Sequence, residues 1–487
     1  SIVQAMGMVY TNLWILSLHL LVLMAVIVRV LQRPHREPAS RIAWLVVVLA
    51  LPVVGIIAYL MLGETHIGRR NQKAMLAKLG EEHYSEYFID ENADESIGIP
   101  SRYVHLFRVG RSISNFAPVA GNSAQLMRDS AATVDSMVSD IDAARSEVNL
   151  LFYIWLNDNS GVRVAEALKR AASRGVICRA IVDGLGSRVL TKSRLWREMG
   201  AAGVCTAVAL PLGNVFLRPL QGRVDFRNHR KIVVIDGQIT YCGSQNCADK
   251  EFRPKAKYGP WVDSVVRMEG PIARQNQILF TADWHLCTNE VLGSPSEQPQ
   301  SNTTASVVAQ VIASGPTLRH SAMEEVFISL MFSARHELTI STPYYVPNQP
   351  MQAALCAAAY RGVQTTLILH ARNDSREVAG ASRSYYAELL EAGVDIREYV
   401  GGLLHSKTLT LDGEITLIGS ANMDRRSFDL NFENNILIYD PELTQTLRAR
   451  QQDYIDSADI ITLEQVGKWS LTRCLWNNSV AMLGPIL

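Results

Sequence analysis

One pattern of nineteen residues occurs twice in this chain, and no other feature constrains the fold as strongly. Residues 228–246 read NHRKIVVIDGQITYCGSQN, and residues 404–422 read LHSKTLTLDGEITLIGSAN. Both segments match H-x-K-x4-D-x6-G-S-x-N. The matched residues are His229, Lys231, Asp236, Gly243, Ser244 and Asn246 in the first copy, and His405, Lys407, Asp412, Gly419, Ser420 and Asn422 in the second. A long motif repeated once at large separation indicates a duplicated domain rather than a solenoid.

Shorter repeats surround the motifs in the same order. They are A-R-S-E at 144–147 and A-R-H-E at 334–337, R-G-V at 174–176 and 361–363, and A-G-V at 202–204 and 392–394. The first unit predicts a strand over 148–154, a helix over 161–174 and a strand over 176–182. Alternating strands and helices imply parallel pairing. The predicted fold is therefore α/β, with two pseudo-twofold-related sandwich domains.

The apolar N-terminus predicts a membrane anchor. Residues 1–28 and 42–63 contain no charge, and each run approaches the roughly 20 residues of a membrane-spanning helix. We expect two transmembrane helices, the second kinked at Pro52. A cleaved signal peptide followed by a buried helix, or a hairpin in one leaflet, is the alternative. Arginines follow both runs, so the positive-inside rule does not fix the orientation.

These patterns predict five segments along the chain. They are an anchor over 1–63, a connector over 64–120, a first domain over 121–290, a linker over 291–317 and a second domain over 318–487. The segment 212–227, LGNVFLRPLQGRVDFR, mixes apolar and arginine residues. It is consistent with a surface that contacts lipid phosphates, and equally with an ordinary packed loop.

The spacing inside each motif predicts a phosphate site. A histidine and a lysine two residues apart on a strand point to one face. Asp-Gly is a two-residue hairpin signal, so the returning strand brings Gly-Ser-x-Asn back beside the histidine. The hydroxyl and amide groups there can donate to phosphate oxygens. The predicted phosphate ligands are Ser244, Asn246, Ser420 and Asn422.

Two facing motifs supply what phosphodiester exchange requires. One neutral imidazole attacks phosphorus, and the other gives a proton to the leaving oxygen. Lys231 and Lys407 neutralise charge on the phosphate, a role that a metal would otherwise fill. We therefore predict no metal and no cofactor. Asp236 and Asp412 complete the catalytic set, although their position beside a turn glycine favours a structural role.

The motifs resemble those of the phospholipase D superfamily, over roughly residues 120–455. The resemblance implies that His229 is the nucleophile and His405 the acid and then the base. It also implies that a downstream carboxylate orients each imidazole. Glu433, in N-F-E, matches that position for His405. The equivalent offset in the first copy reaches Lys257, so Asp263, in W-V-D, is the substitute expected for His229.

Within that superfamily the chain resembles the bacterial cardiolipin synthases. The resembling segments are PVVGIIAYLMLGE at 52–64, FYIW at 152–155, RMEGP at 267–271, TPYYVP at 342–347 and GGLLHSK at 401–407. The resemblance implies transfer between two phosphatidylglycerol molecules, giving cardiolipin and glycerol through a phosphohistidine. It also implies a multi-pass protein of the inner membrane, with its catalytic part on the cytoplasmic face. A homo-oligomer is compatible with this reading.

Other functions of the same site stay open at this point. A phospholipase D hydrolase, or a transphosphatidylase with another alcohol, would use identical motifs. A nuclease is disfavoured because 47 basic residues balance 47 acidic ones, whereas nucleic-acid binders usually carry a basic excess. A non-catalytic membrane scaffold is disfavoured because both motifs are complete. We therefore expect no nucleic-acid partner.

Overall fold

The computed structural model describes residues 2–32, 38–63, 97–211, 226–292, 306–316 and 321–482. The chain forms two compact units. The small unit is described over residues 2–32 and 38–63, and the large unit contains both motifs. The segment 212–225, most of the stretch considered for lipid contact, lies outside the described residues. Phe226 and Arg227, which follow it, are buried.

Within residues 2–32 and 38–63, the small unit contains three α-helices, α1 (Ile2–Gln32), α2 (Pro38–Ala50) and α3 (Pro52–Ala58), followed by a π-helical turn at Tyr59–Gly63. Within α1, the 19 residues Trp14–Gln32 are long and apolar enough to cross a membrane. The second apolar run is divided at Leu51, which has φ −128° and ψ 71°.

The predicted kink at Pro52 is confirmed by this break. Proline has no N–H and clashes with the preceding turn. Because of the break, no continuous helix of spanning length forms in the second run, and α1 alone meets the length criterion among the described residues. The prediction of two transmembrane helices is therefore supported for one helix only.

The first half of the large unit contains the following elements: α4 (Ser101–Ser114), β1 (Val119–Leu126), α5 (Ser130–Ala143), β2 (Glu147–Phe152), α6 (Asn159–Ser173), β3 (Ile177–Asp183), α7 (Arg194–Ala201), β4 (Cys205–Ala209), β5 (Arg227–Asn228), β6 (Ile232–Ile235), β7 (Ile239–Gly243), β8 (Trp261–Val262), β9 (Val265–Glu269) and α8 (Ile272–Thr288). The predicted strand, helix and strand of this repeat correspond to β2, α6 and β3. In α6 the predicted apolar face, Val164, Ala167, Leu168 and Ala171, is fully buried.

The second half repeats this order and extends it: β10 (Val307–Ser314), α9 (Ala322–Ser333), β11 (Glu337–Ser341), β12 (Tyr345–Val346), α10 (Gln349–Tyr360), β13 (Gln364–His370), α11 (Arg376–Arg383), α12 (Tyr386–Ala392), β14 (Asp395–Tyr399), β15 (Leu403–Leu404), β16 (Thr408–Leu411), β17 (Ile415–Gly419), β18 (Met423–Asp424), α13 (Arg425–Asp429), β19 (Asn431–Tyr439), α14 (Pro441–Asp456), β20 (Ala458–Ile461), α15 (Leu463–Gly467) and α16 (Leu471–Ala481).

One mixed sheet joins the two copies, in the order β20-β14-β13-β11-β16-β17-β19-β10-β1-β9-β7-β6-β2-β3-β4. Each copy contains three parallel strands, β2-β3-β4 and β11-β13-β14, flanked by antiparallel hairpin strands. The copies meet where β1 pairs antiparallel with β10. The strand order reads the same outward from this pair on both sides, apart from the additional edge strand β20. The predicted duplicated α/β fold is confirmed.

The predicted linker is wrong for part of its length. Residues 307–314 form β10, whose eight residues are all buried and which pairs with both β1 and β19. Prolines and serines between 293 and 305 favoured a linker, and those residues lie outside the described ones. The apolar sequence VVAQVIAS that follows is a central strand. One apolar cluster includes Leu151 and Val266 from the first copy and Val311 and Ile436 from the second, so the copies share a core.

Candidate active site

The Asp-Gly turns hold each motif strand to its neighbour. Asp236 and Gly237 have φ +52° and +64°, and Asp412 and Gly413 have φ +50° and +69°, as a type I′ hairpin requires. The Asp236 carboxylate accepts from the backbone N–H groups of Arg145, Ser146 and Glu147 at 2.8–3.0 Å. Asp412 accepts in the same way from Arg335, His336 and Glu337.

This geometry explains the repeated A-R-x-E segments, whose backbone the two carboxylates bind. Each Asp follows its motif histidine by seven residues, which at about 3.3 Å per residue places it about 23 Å away along extended chain. Neither side chain can reach a phosphate held by its own histidine. The assignment of Asp236 and Asp412 to the catalytic set is therefore corrected to a structural role.

Short strands cross between the copies to position each histidine. β5 pairs in parallel with the start of β19, and the His229 N–H donates to the Phe432 carbonyl at 2.9 Å. β15 pairs in parallel with β8, and the His405 N–H donates to the Val262 carbonyl at 2.8 Å. Each motif histidine thus lies next to a strand that belongs to the other copy.

The carboxylates that orient the imidazoles are exchanged between the copies. His229 Nδ1 lies 3.0 Å from both oxygens of Glu433, and His405 Nδ1 lies 2.6 Å from Asp263 Oδ1. The sequence-based pairing was the reverse, Glu433 with His405 and Asp263 with His229, and it is wrong. The crossing strands cause the exchange, because the residue after each short paired segment faces the histidine of the opposite copy.

The motif serines bind the orienting carboxylates. Ser244 Oγ donates to Asp263 at 2.6 Å, and Ser420 Oγ donates to Glu433. Both serines are fully buried, so their predicted role as phosphate ligands is corrected to support of the carboxylates. Asn246 and Asn422 do line the cavity described below, although the Asn246 amide oxygen accepts from the Ile154 N–H at 3.2 Å.

The two motif lysines are buried beneath the histidines. Each Nζ donates to the backbone carbonyl of its own motif histidine at 2.7 Å. Burial lowers the pKa of Lys231 to about 8 and that of Lys407 to about 7, the charge of Lys231 adding to the shift of Lys407. Each lysine therefore places a titratable amino group beside the backbone of its own motif histidine.

A cavity of about 560 Å³ contains both histidines. Tyr153 packs edge-on against His229 with ring centroids 4.9 Å apart, and Trp261 packs against His405 at 4.5 Å. An ion pair between Lys255 of the first copy and Asp374 of the second lies in the same cavity wall. Tyr153 and Trp261 fall in the segments FYIW and W-V-D, but nothing in the sequence indicated that their rings fix the imidazoles.

Both imidazoles are neutral at ordinary pH. Burial outweighs the attraction of the carboxylates and lowers the pKa of His229 to about 4 and that of His405 to about 3, with the buried lysines contributing. The pKa values of Glu433 and Asp263 fall below their usual values despite burial, because the histidines and lysines favour their charged forms. Charged carboxylates hold a proton on Nδ1 of each ring, which leaves Nε2 as the unprotonated nitrogen.

Two oriented neutral imidazoles in one cavity, with two buried lysines behind them and one joined sheet, define an enzyme of the phospholipase D class. The family model described as "Cardiolipin synthase, PLD-like domain" matches residues 137–284 and 327–454. A model described as "Phospholipase_D-nuclease N-terminal" matches residues 20–64, which supports membrane association together with α1.

Similar proteins cover nearly the whole chain. Cardiolipin synthase A of Erwinia tasmaniensis is 37% identical over 480 residues, 95% of each chain, and that of Yersinia pseudotuberculosis serotype IB is 37% identical over 468 residues, 94% of each. The chain therefore belongs to the cardiolipin synthase family. The structure of phosphatidylserine synthase from Haemophilus influenzae covers 79% of this chain and 100% of its own, with a TM-score of 0.59 and 12% identity, which shows a shared fold.

Proposed function

We propose that this enzyme transfers a phosphatidyl group from one phosphatidylglycerol to another, giving cardiolipin and glycerol through a phosphohistidine. The observation that carries this proposal is the pair of neutral imidazoles in one cavity, each held at Nδ1 by a buried carboxylate from the opposite copy. The names of the relatives support the choice of product.

In the first step, His229 Nε2 attacks the phosphorus of the donor lipid. The P–N bond forms, the bond from phosphorus to the headgroup glycerol breaks, and His405 gives its Nε2 proton to the departing oxygen. Glu433 stabilises the positive charge that develops on His229. The choice of His229 as the nucleophile follows the family, since the two histidines have equivalent surroundings.

In the second step, His405 takes a proton from the terminal hydroxyl of a second phosphatidylglycerol. The hydroxyl oxygen attacks phosphorus, the P–N bond breaks, and cardiolipin leaves with His229 neutral again. His405 is then protonated, as the next cycle requires. The phosphodiester bond energy is kept in the P–N bond, so no nucleotide is consumed.

The negative charge of the bound phosphodiester explains why one of the two histidines carries a proton when the reaction begins. With no anion present both rings are neutral. A phosphodiester anion between them favours a proton on one ring, because an opposite charge nearby stabilises the charged form. The same anion raises the pKa values of Lys231 and Lys407, whose charges then stabilise the extra negative charge of the transition state.

A lipid acceptor brings a second phosphate into the cavity. Arg227 from the first copy and Arg426 from the second both line the cavity, and both act electrostatically on Tyr153, which packs against His229. Positive charge at this point suits the acceptor's own phosphodiester, which lies only a glycerol unit away from the attacking hydroxyl. This arrangement supports a lipid acceptor over water.

Mass spectrometry of products from phosphatidylglycerol vesicles tests the proposal. Purified full-length protein should give cardiolipin and glycerol, with added phosphatidylethanolamine unchanged. The His229→Ala variant should give no cardiolipin, and the Ile177→Gln variant, at the end of β3 that lies away from the cavity, is the control. Phosphatidic acid as the sole product would show a hydrolase, and cardiolipin formation by His229→Ala would refute the mechanism.

We further propose multi-pass anchoring with the large unit on the cytoplasmic face. The apolar helices α2 and α3 would then pass through the bilayer as one broken segment. Proteolysis of sealed spheroplasts and of inverted inner-membrane vesicles tests this topology. The large unit should be digested in the inverted vesicles only.

A further inference from the structure

A stripe of apolar side chains lies exposed along α16. Leu471, Leu475 and Met482, the last directly after the helix, are 74%, 59% and 81% exposed. At about 100° per residue, they fall within about 40° of one another on the helix surface. Trp476, 49% exposed, lies on the flank of the helix, about 100° around from Leu475 and between the stripe and the packed face. Several large apolar side chains exposed side by side mark an interaction surface.

The opposite face of α16 is firmly packed. Val480 forms an apolar cluster with Val346 and Ala381, and Val378 packs against it. The approach of α16 to α11 is close, because a Cβ at Gly380 would lie 2.8 Å from Val480 Cγ2 and 2.9 Å from Trp476 Nε1. The exposed stripe is therefore carried by a helix that is fixed to the large unit.

This helix adjoins the active-site cavity. Val346 and Val378, which pack with Val480, also line the cavity that contains the two histidines, as does Ser375 at the start of α11. Elsewhere along the same lining, Arg188 and Val189 are exposed, Val189 by 68%. Apolar surface thus lies beside the cavity on elements from both copies.

We propose that α16 is an interfacial helix that binds the surface of the lipid bilayer and holds the cavity against its membrane substrates. The stripe would enter the boundary between headgroups and acyl chains. Trp476, half-exposed on the flank of the helix, is compatible with this boundary, because an indole ring has an apolar body and one polar N–H group.

A bilayer fits the stripe better than a protein partner does. The substrates of this family are lipids with two acyl chains, which remain in a bilayer while their headgroups react. A helix fixed beside the cavity and apolar on its outer face brings the cavity to that surface. The proposal rests on the proposed function only for the identity of the lipid, since surface binding can be measured without turnover.

The test uses full-length protein in phosphatidylcholine nanodiscs and the triple variant Leu471→Gln, Leu475→Gln, Met482→Gln. With long-chain phosphatidylglycerol in the bilayer, loss of the three apolar side chains that the proposed bilayer contact would bury should lower the rate about tenfold. With dihexanoyl phosphatidylglycerol dissolved in the buffer, the rate should stay within about twofold. The control is Ile177→Gln, which removes a 52% exposed side chain at the far end of β3 from the site.

A second measurement is independent of catalysis. Tryptophan quenching by lipids brominated near the headgroup is compared between wild type and Trp476→Phe, and the difference reports Trp476. We expect Trp476 to be quenched, and less so in the triple variant. Unquenched Trp476, or equal loss of rate on both substrates, would overturn the proposal. So would cross-linking of α16 between two copies without quenching. Absence of cardiolipin with Trp476 still quenched would refute only the proposed reaction.

Discussion

Replacing Glu433 with glutamine removes the charge that faces His229 and keeps the shape of the side chain. The carboxylate is fully buried, lies 3.0 Å from Nδ1 through both oxygens, and is held by Ser420 and Asn431. In the proposed mechanism, a positive charge develops on the His229 imidazole as the P–N bond forms. Two unit charges about 4 Å apart at an effective dielectric constant of about 20 interact by about 4 kcal/mol, which corresponds to about a thousandfold in rate.

Glutamine also offers an N–H₂ group to Nδ1 and can impose the wrong tautomer, so the loss could reach about ten-thousandfold. Single-turnover quench-flow with labelled phosphatidylglycerol measures the phosphohistidine step directly. Glu337→Gln is the matched control, because Glu337 is a carboxylate paired with Arg448 at the start of β11, away from the cavity. A folded Glu433→Gln enzyme that keeps more than about a tenth of the wild-type rate would refute the electrostatic argument.

Because the orienting carboxylates are exchanged between the copies, the Glu433→Gln variant gives a second and more specific prediction. Residues in contact show coupling energies of about 0.5–3 kcal/mol in double-mutant cycles of stability. Glu433→Gln should therefore couple more strongly to His229→Ala than to His405→Ala when the melting temperatures of the solubilised proteins are compared. Stronger coupling to His405 would restore the pairing expected from chain order.

The remaining predictions concern charge, acceptor choice and stability. The kcat/KM profile should fall as pH rises from about 7 to about 8, as Lys407 and Lys231 lose their protons. The melting temperature should not fall over the same pH range. The unfolded chain binds more protons than the folded one in this window, so these two lysines make stability rise with pH. A kcat/KM profile that stays flat to pH 9 would contradict the proposed role of the lysine charges. Arg426→Gln should reduce cardiolipin formation but leave transfer to ethanol intact, so equal losses in both products would reject the acceptor site. Asp236→Ala should destabilise the fold by about 1–3 kcal/mol, from the loss of three backbone partners, and keep the kcat of the folded enzyme. A large loss of kcat at low temperature would return Asp236 to the catalytic set.

The elements with strong local signals were predictable from the sequence alone. The apolar face of α6, the Asp-Gly hairpins after β6 and β16, and the break at Pro52 each depend on interactions within a few residues. Two copies of one motif also predicted a duplicated α/β fold. The strand β10 was missed because a polar, proline-containing stretch precedes it, and burial on both faces removes the alternation by which a strand is usually recognised.

The motif histidines and lysines, which we propose carry the chemistry, could be identified from the order of amino acids alone, because histidine and lysine at fixed spacing, repeated twice, have few other uses. The way in which those residues are paired became visible only in the folded chain. Glu433 and Asp263 were both found in the sequence, but each was assigned to the wrong histidine. Chain order favours partners within one copy, whereas the strand pairs β5–β19 and β15–β8 pass between copies. The motif serines were likewise assigned to the phosphate, but in the buried site their hydroxyl groups donate to the two carboxylates. Local sequence fixes a side chain's chemistry, and long-range strand pairing fixes its partner.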